Sequence, residues 1–198
     1  MRKQIELLFK KNRGFLKAAD LYSAGVTRRE MSSMLKCGDI FRVKRGYYQF
    51  AHIEEPNEAA LISKLFPEAV LCMDTALFYY GYSDRTPLEW TMAVSRNISK
   101  SRFNLTYPLV KPFYVEEKYL SIGITEEMIV DDVKMKIYDR ERTICDCLKH
   151  KSKMDSEMFG KAIQTYLNDP LKNIKNLSAY AKQLRVLKKA LDLIGVWL

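Results

Sequence analysis

Along residues 2–11 the apolar positions Ile5, Leu8 and Phe9 recur at i, i+3 and i+4, the spacing of one buried helical face. The following "NRG" supplies a residue able to take positive φ, so a helix ending near Lys11 is predicted. "FLKAADLYSAGV", residues 15–26, places Ala18, Leu21 and Tyr22 on one side of a second helix, and "SAG" has the composition of a short turn between crossing helices. Thr27 opens a third helix, with Glu30 completing an S/T-x-x-E capping box. Its apolar residues Met31, Met34 and Leu35 share one face; Arg29, Ser32, Ser33 and Lys36 project from the other, with Arg28 on the flank. "IFRVKRGYYQF" then reads as strand Ile40–Val43, a tight Lys44-Arg45-Gly46 turn and strand Tyr47–Phe50, with Tyr48 or Phe50 packing inward.

The polar, proline-containing "AHIEEPNE" over 51–58 makes a linker. Beyond it, 58–66 is helical by pattern, "AVLC" is a short buried strand, and "DTALFYY" is a helix capped by Asp74 and stopped at Gly81. "LEWTMAVSR", "LVKPFYVEE" and "VKMKIYD" have the content of strands, the last alternating Val133, Met135 and Ile137 with Lys134 and Lys136. After Asp139 the pattern is helical to the end. There Tyr180, Leu184, Leu187, Leu191 and Ile194 form a core stripe, opposite Lys182, Arg185 and Lys189 with Lys188 beside them. The expected fold class is α+β: an N-terminal winged helix-turn-helix domain over 1–56, followed by a mixed α/β domain over 57–198 with a helical C-terminus.

Charge sharpens this picture. The chain of 198 residues carries a net +9 with a pI near 9.3, which favours a polyanionic partner. Residues 1–56 hold 12 Lys/Arg against 6 Asp/Glu, residues 57–148 hold 11 against 14, and residues 149–198 hold 10 against 4, so the ends are basic and the middle is not. An outward face with two arginines in its first turn, small hydroxyls and no acid suits the major groove, where Arg bonds guanine and flanking cations meet phosphate. The expected DNA contacts are Thr27, Arg28, Arg29, Ser32, Ser33 and Lys36 on the helix and Arg42, Lys44 and Arg45 on the hairpin. Lys182, Arg185, Lys188 and Lys189 make a possible second nucleic-acid face.

Other chemistry has less to build on. Cys37 and Cys72 stand far apart and Cys145 and Cys147 form a C-x-C, neither a redox pair nor half a zinc ribbon, so reduced core thiols are expected. His52 and His150 are isolated from any metal or triad spacing, and no glycine-rich phosphate loop is present. No metal, cofactor or catalytic residue is therefore expected. Asp131, Asp132 and Asp139 flank the strand bearing Lys134 in a "DVK" that imitates a nuclease arm; a polar turn before a half-exposed strand is the preferred reading. Arg142 and Asp146 read as a helix-stabilising ion pair. With no apolar run of membrane-spanning length and no secretory signal pattern, a cytoplasmic protein without a membrane partner is expected.

"DTALFYYGYSDRTP" (Thr75, Ala76, Leu77, Tyr80, Gly81, Ser83 to Pro87) and "YDRERTICDCL" (Arg142, Thr143, Asp146), behind such an N-terminal region, resemble the AbiEi antitoxins of bacterial abortive-infection toxin–antitoxin pairs. The resemblance covers nearly the whole chain. It implies a winged domain that represses its own operon; inverted-repeat operator DNA is expected because two copies reading half-sites gain avidity without a stable dimer, compatible with a monomer in solution that binds cooperatively on DNA. It also implies a C-terminal domain that neutralises a nucleotidyltransferase-fold toxin in the type IV manner of phage defence, without a stable complex. Where such proteins carry His before the glycine, this chain has Tyr80. The alternative is an enzyme-type antitoxin whose C-terminal domain modifies the toxin, its nucleotide or its RNA target.

Overall fold

A computed structural model describes residues 2–52, 57–130 and 132–194, and among them the fold is mixed α+β with two separate sheets. The contacts divide the chain into two compact units: residues up to Phe66 with Asn104–Pro108, and Pro67–Phe103 with the remainder from Leu109.

The first unit runs α1 (Arg2–Lys11), β1 (Phe15–Lys17), α2 (Ala18–Ser23), α3 (Arg28–Lys36), β2 (Ile40–Lys44), β3 (Tyr47–Phe50) and α4 (Glu58–Leu65). Ile5 and Phe9 of α1 are buried as their spacing predicts. The expected second helix starts three residues late. Phe15 and Leu16 are both buried in a short strand, with Phe15 opposite Gln49 and Lys17 opposite Tyr47, and the Asp20 carboxylate accepts the Lys17 amide (3.0 Å) where α2 begins. Tyr22, expected inside, is exposed, and Leu35 sits at the edge of exposure. α3 ends in a Schellman turn: Asp39 N–H donates to the Met34 carbonyl (2.9 Å) across Gly38, whose φ of +74° a side chain would resist. β2 extends through Lys44, leaving Arg45-Gly46 as the turn, and β3 pairs with both partners in the order β1-β3-β2. Both Tyr48 and Phe50 pack inward, joining Ile5, Phe9, Leu21 and Met31 in one core. α4, capped by the Asn57 side chain on the Ala60 amide (2.8 Å), buries Ala59, Ala60, Leu61, Ile62 and Leu65 and groups by contacts with this unit.

The second unit contains β4 (Val70–Leu71), α5 (Met73–Tyr79), β5 (Trp90–Ser95), β6 (Val110–Val115), α6 (Glu117–Leu120), β7 (Ile124–Val130), β8 (Val133–Tyr138), α7 (Arg140–His150), α8 (Ser156–Asn168), α9 (Ile174–Gln183) and α10 (Leu187–Ile194). The five strands lie in the order β6-β5-β4-β8-β7. β5 with β6 and β4 with β8 are parallel; β4 with β5 and β7 with β8 are antiparallel. In β8, Val133, Met135 and Ile137 are buried and Lys134 is exposed, as the alternation predicts. β7 has no counterpart in the expected elements: it is an edge strand whose Ile124, Met128 and Val130 stay exposed around Glu126 and Glu127, so no buried stripe marks it. α5 begins at Met73 behind Cys72, placing Asp74 in the first turn rather than at the cap.

α7 is the axis of the helical half, with residues 141–148 all buried, and α8–α10 pack Phe159, Tyr166, Leu177, Ala181 and Ala190 into the cluster around Ile144 and Leu148. The single last helix expected from the stripe is instead two. α9 stops at Gln183, Arg185 takes φ +61°, and the Val186 amide returns to the Ala181 carbonyl (2.8 Å). That break resets the helical phase: Leu184, Val186 and Ala190 are buried while Leu191 turns out to solvent. The Ile194 side chain lies outside the described residues. Among the described residues no helix is long and apolar enough to cross a membrane.

Candidate nucleic-acid interface

α3 is built so that its outer face carries cations alone. The Thr27 hydroxyl accepts the Glu30 amide (3.2 Å), and the Glu30 carboxylate accepts the Thr27 amide and hydroxyl (both 2.8 Å). The helix's one acid is thereby folded onto its own N-terminus, and those hydrogen bonds from Thr27 hold its carboxyl below the usual range. Met31 and Met34 enter the core, which turns Arg28, Arg29, Ser32, Ser33 and Lys36 outward, all exposed. Arg28, Arg29 and Lys36 make no ion pair among the described residues. On the hairpin, Arg42 and Arg45 are exposed, whereas Lys44 is partly buried with its ammonium 5.3 Å from the centre of the Phe66 ring. Thr27 is thus engaged as a cap, and Lys44 is held closer to the body of the unit than its neighbours.

Sequence reasoning missed a further basic cluster. Lys17 and Lys64 line a cavity of about 260 Å³ with Asn12, Asp20 and Tyr47, and burial, then the charge of nearby Arg13, lowers the Lys64 pKa. Lys17 joins it because β1 exists, and Lys64 arrives from α4; no local signal links the two.

No protein-family model matches the chain, and no curated protein matches it. The segments that carry the resemblance are, in the fold, joints between elements. Thr75 in α5 and Thr91 in β5 exchange hydrogen bonds, each hydroxyl accepting the other's amide (2.9 and 2.8 Å). Tyr80 donates to the Tyr138 carbonyl (3.0 Å), and Tyr82 donates to Asp169 (2.6 Å), which also pairs with Arg140 (2.9 Å). The Arg140 guanidinium lies 4.7 Å over the Tyr80 ring. Asp84 pairs with Lys161 (2.6 Å) and Arg85 with Glu157 (2.6 Å), fastening the loop after α5 to α8.

The second basic face does not survive as one helical surface. Lys182 ends α9, Arg185 sits in the break, and Lys188 and Lys189 belong to α10. All four are exposed, and Lys189 donates to the Leu148 carbonyl near the end of α7 (3.1 Å). The "DVK" groups are likewise dispersed. Lys134 pairs with Glu126 (2.9 Å), while Asp139, at the far end of β8, accepts the Arg142 amide (2.8 Å) and the Tyr180 hydroxyl (3.1 Å) as the cap of α7. Asp132 is exposed, and Asp131 lies outside the described residues. No group of three His, Cys, Asp or Glu side chains able to hold a metal occurs among the described residues.

The Arg142–Asp146 pair is no surface bridge. Arg142 is 1% exposed; its Nε meets Asp146 Oδ1 at 3.1 Å, its Nη1 donates to the carbonyls of Tyr119 (2.6 Å) and Ile122 (2.9 Å), and its guanidinium lies 4.0 Å over the Tyr138 ring. Gly123, at φ +73°, passes so close that an added Cβ would stand 2.5 Å from Arg142 Cβ. Beside them Glu141, also buried, accepts the Asn173 amide (2.7 Å) and the Tyr166 hydroxyl (3.2 Å). Periodicity announced the spacing of the pair; nothing in it announced the depth.

Proposed function

We propose that the chain is an AbiEi-type antitoxin that represses its own operon. In this reading the first unit acts as a winged helix-turn-helix: α3 enters the major groove of an inverted-repeat operator and the β2–β3 hairpin lies against the backbone. The order α1-β1-α2-α3-β2-β3 and the antiparallel β1-β3-β2 sheet support it. The observation that carries it is the outer face of α3, where Arg28, Arg29, Ser32, Ser33 and Lys36 stand exposed and the one acid is withdrawn to the cap. Arg28 and Arg29 lie in the first turn, the part of a recognition helix that meets base edges. Arg42 and Arg45 supply contacts independent of sequence. The second unit neutralises a nucleotidyltransferase-fold toxin without a stable complex.

The test is a gel-shift titration of the full chain against DNA from upstream of its own gene and against scrambled DNA. Arg28→Ala with Arg29→Ala is expected to weaken the specific complex by about 1–3 kcal/mol per lost base contact and to leave scrambled DNA nearly unaffected. Arg42→Ala with Arg45→Ala is expected to weaken both alike and to flatten the salt dependence. An unaltered specific shift with the α3 variant would remove α3 from the interface.

A further inference from the structure

The second unit encloses a cavity of about 150 Å³ that the repressor reading leaves without a role. One wall is a single face of α7, where Arg142, Asp146, Lys149 and His150 fall at i, i+4, i+7 and i+8. Cys72, Met73 and Ala93 form its floor, and Phe113 from β6 and Tyr119 from α6 close its sides. Met73 holds φ +43°, a left-handed conformation that a residue with a side chain keeps only where its surroundings fix it.

Three features of this lining point to one kind of occupant. Deep inside is a carboxylate: Asp146 is 7% exposed, Arg142 occupies its Oδ1, and no other bond to it occurs among the described residues, so its residual exposure opens into the cavity it lines. That is an acceptor with room for an N–H, on a wall whose other charged groups, Arg142 and Lys149, are cations. Around it are flat surfaces, with the Phe113 and His150 rings edge to face at 5.7 Å. At the rim the charge turns positive. Arg96 and Lys149 line the cavity, and Lys149, Lys153 and Lys189 all act against protonation of His150. Glu116 is the rim's acid, and it is engaged by Arg96 and Lys118 (both 3.1 Å).

Size selects among anionic ring compounds, because a cavity of roughly 150 Å³ accommodates one six-membered ring. A purine overfills it. Between the pyrimidines, cytosine presents an exocyclic amino group that a carboxylate accepts, while uracil sets two carbonyl oxygens about a single N–H. A bare phosphate would meet the rim cations and leave the ring space and the carboxylate unused. We propose that this cavity is a binding site for a pyrimidine nucleoside monophosphate, cytidine in preference to uridine, with the base against Asp146 and the phosphate at Lys149 and Arg96. The site requires nothing of the DNA reading.

Isothermal titration of the full-length chain with cytidine, uridine and adenosine 5′-monophosphates and with inorganic phosphate tests it. One cytidine monophosphate is expected per chain, at least about tenfold tighter than each of the other three probes, a margin of one lost charged hydrogen bond. Arg96→Ala with Lys149→Ala, both at exposed positions, is expected to keep the melting temperature and lose at least about tenfold in that affinity. Asp146→Asn is expected to abolish the preference for cytidine over uridine. Because Asp146 is bonded to buried Arg142, the wild-type chain supplies an independent reading: cytidine monophosphate is expected to shift the His150 ring signals in NMR and to raise the pH at which they titrate. Absence of both heat and His150 shifts at millimolar cytidine monophosphate would overturn the proposal, as would equal binding of adenosine monophosphate or of phosphate alone.

Discussion

α3 and α7 both begin with a side-chain cap and carry arginine in the first turn, yet they treat charge in opposite ways. α3 is amphipathic: two methionines hold it to the core, and its arginines stand in solvent without an ion pair among the described residues. α7 has eight consecutive buried residues, so Glu141, Arg142 and Asp146 are inside, and the two of opposite sign at its start are met, Arg142 by Asp146 and two carbonyls, Glu141 by a tyrosine hydroxyl and an amide. A charge in water is available to a partner and contributes little to stability. A charge in the interior belongs to the fold, because removing its partner strands it there. The same residue type should therefore give opposite mutational phenotypes in the two units.

The largest expected effect tests that contrast directly. Arg142→Ala leaves Asp146 buried without its counter-charge and two carbonyls without their donor, and should lower the unfolding free energy by about 3–5 kcal/mol in urea denaturation. Arg28→Ala with Arg29→Ala should stay within roughly 0.5 kcal/mol of wild type in the same assay. Replacing both members of the buried pair, Arg142→Met with Asp146→Leu, should be milder than Arg142→Ala, since no stranded charge remains. A loss below about 1 kcal/mol for Arg142→Ala would mean that water reaches the pair, and the contrast would fail.

What could be read in advance divides along the same line. The Thr27–Glu30 box, the buried face of α1, the hairpin with an inward aromatic and the alternation in β8 all rest on local periodicity or capping chemistry, and each was legible, although the hairpin turns both Tyr48 and Phe50 inward where one of the two was expected. β1 was not, because three residues are too few to show a period and its partner lies some thirty positions on. β7 hid behind a Glu-Glu pair on a sheet edge. The break at Arg185 was invisible because a 3-and-4 stripe continues through it in sequence while the backbone does not. The cavity residues come from the start of α5, from β5 and the residue after it, and from β6, α6 and α7, so only tertiary structure brings them together. The cations of α3 were legible because solvent exposure needs no partner. The depth of Arg142 was not, because an i, i+4 pair looks the same on a surface and in a core.

A smaller effect sharpens the account of the first unit. The Thr27 hydroxyl accepts an amide and donates to the Glu30 carboxylate, so Thr27→Ala removes the cap and leaves the acid beside the cationic face held by the backbone amide alone. The expected loss of stability is about 1 kcal/mol, read from the urea midpoint, and Thr27→Ser should restore most of it. DNA affinity should fall with Thr27→Ala and return with Thr27→Ser. If Thr27→Ser stays stable yet loses DNA, the threonine methyl itself is a contact and the division between cap and contact residues must be redrawn.

The smallest effect lies in the second unit, at its one histidine, His150, which is partly buried. Burial lowers the His150 pKa, Asp146 on the same helix opposes the shift, and Lys149, Lys153 and Lys189 reinforce it; Arg142, Glu116 and Arg96 line the same cavity, and Phe113 supplies the ring against it. A histidine harder to protonate in the folded chain than in the unfolded one binds fewer protons when folded. Its contribution to stability is therefore fully present above the ordinary histidine pKa of about 6.5 and is lost as pH falls through the window down to the depressed folded value. Carboxylates elsewhere also titrate toward the acid side, so the informative quantity is wild type minus His150→Gln, measured in urea at intervals across that window. The difference should shift steadily against the wild type as pH falls and then level off. A flat difference would show an imidazole solvated like those of an ordinary surface. A difference that favours the wild type on acidification would mean that Asp146 outweighs burial and the three lysines, turning His150 into a charged partner of the buried pair.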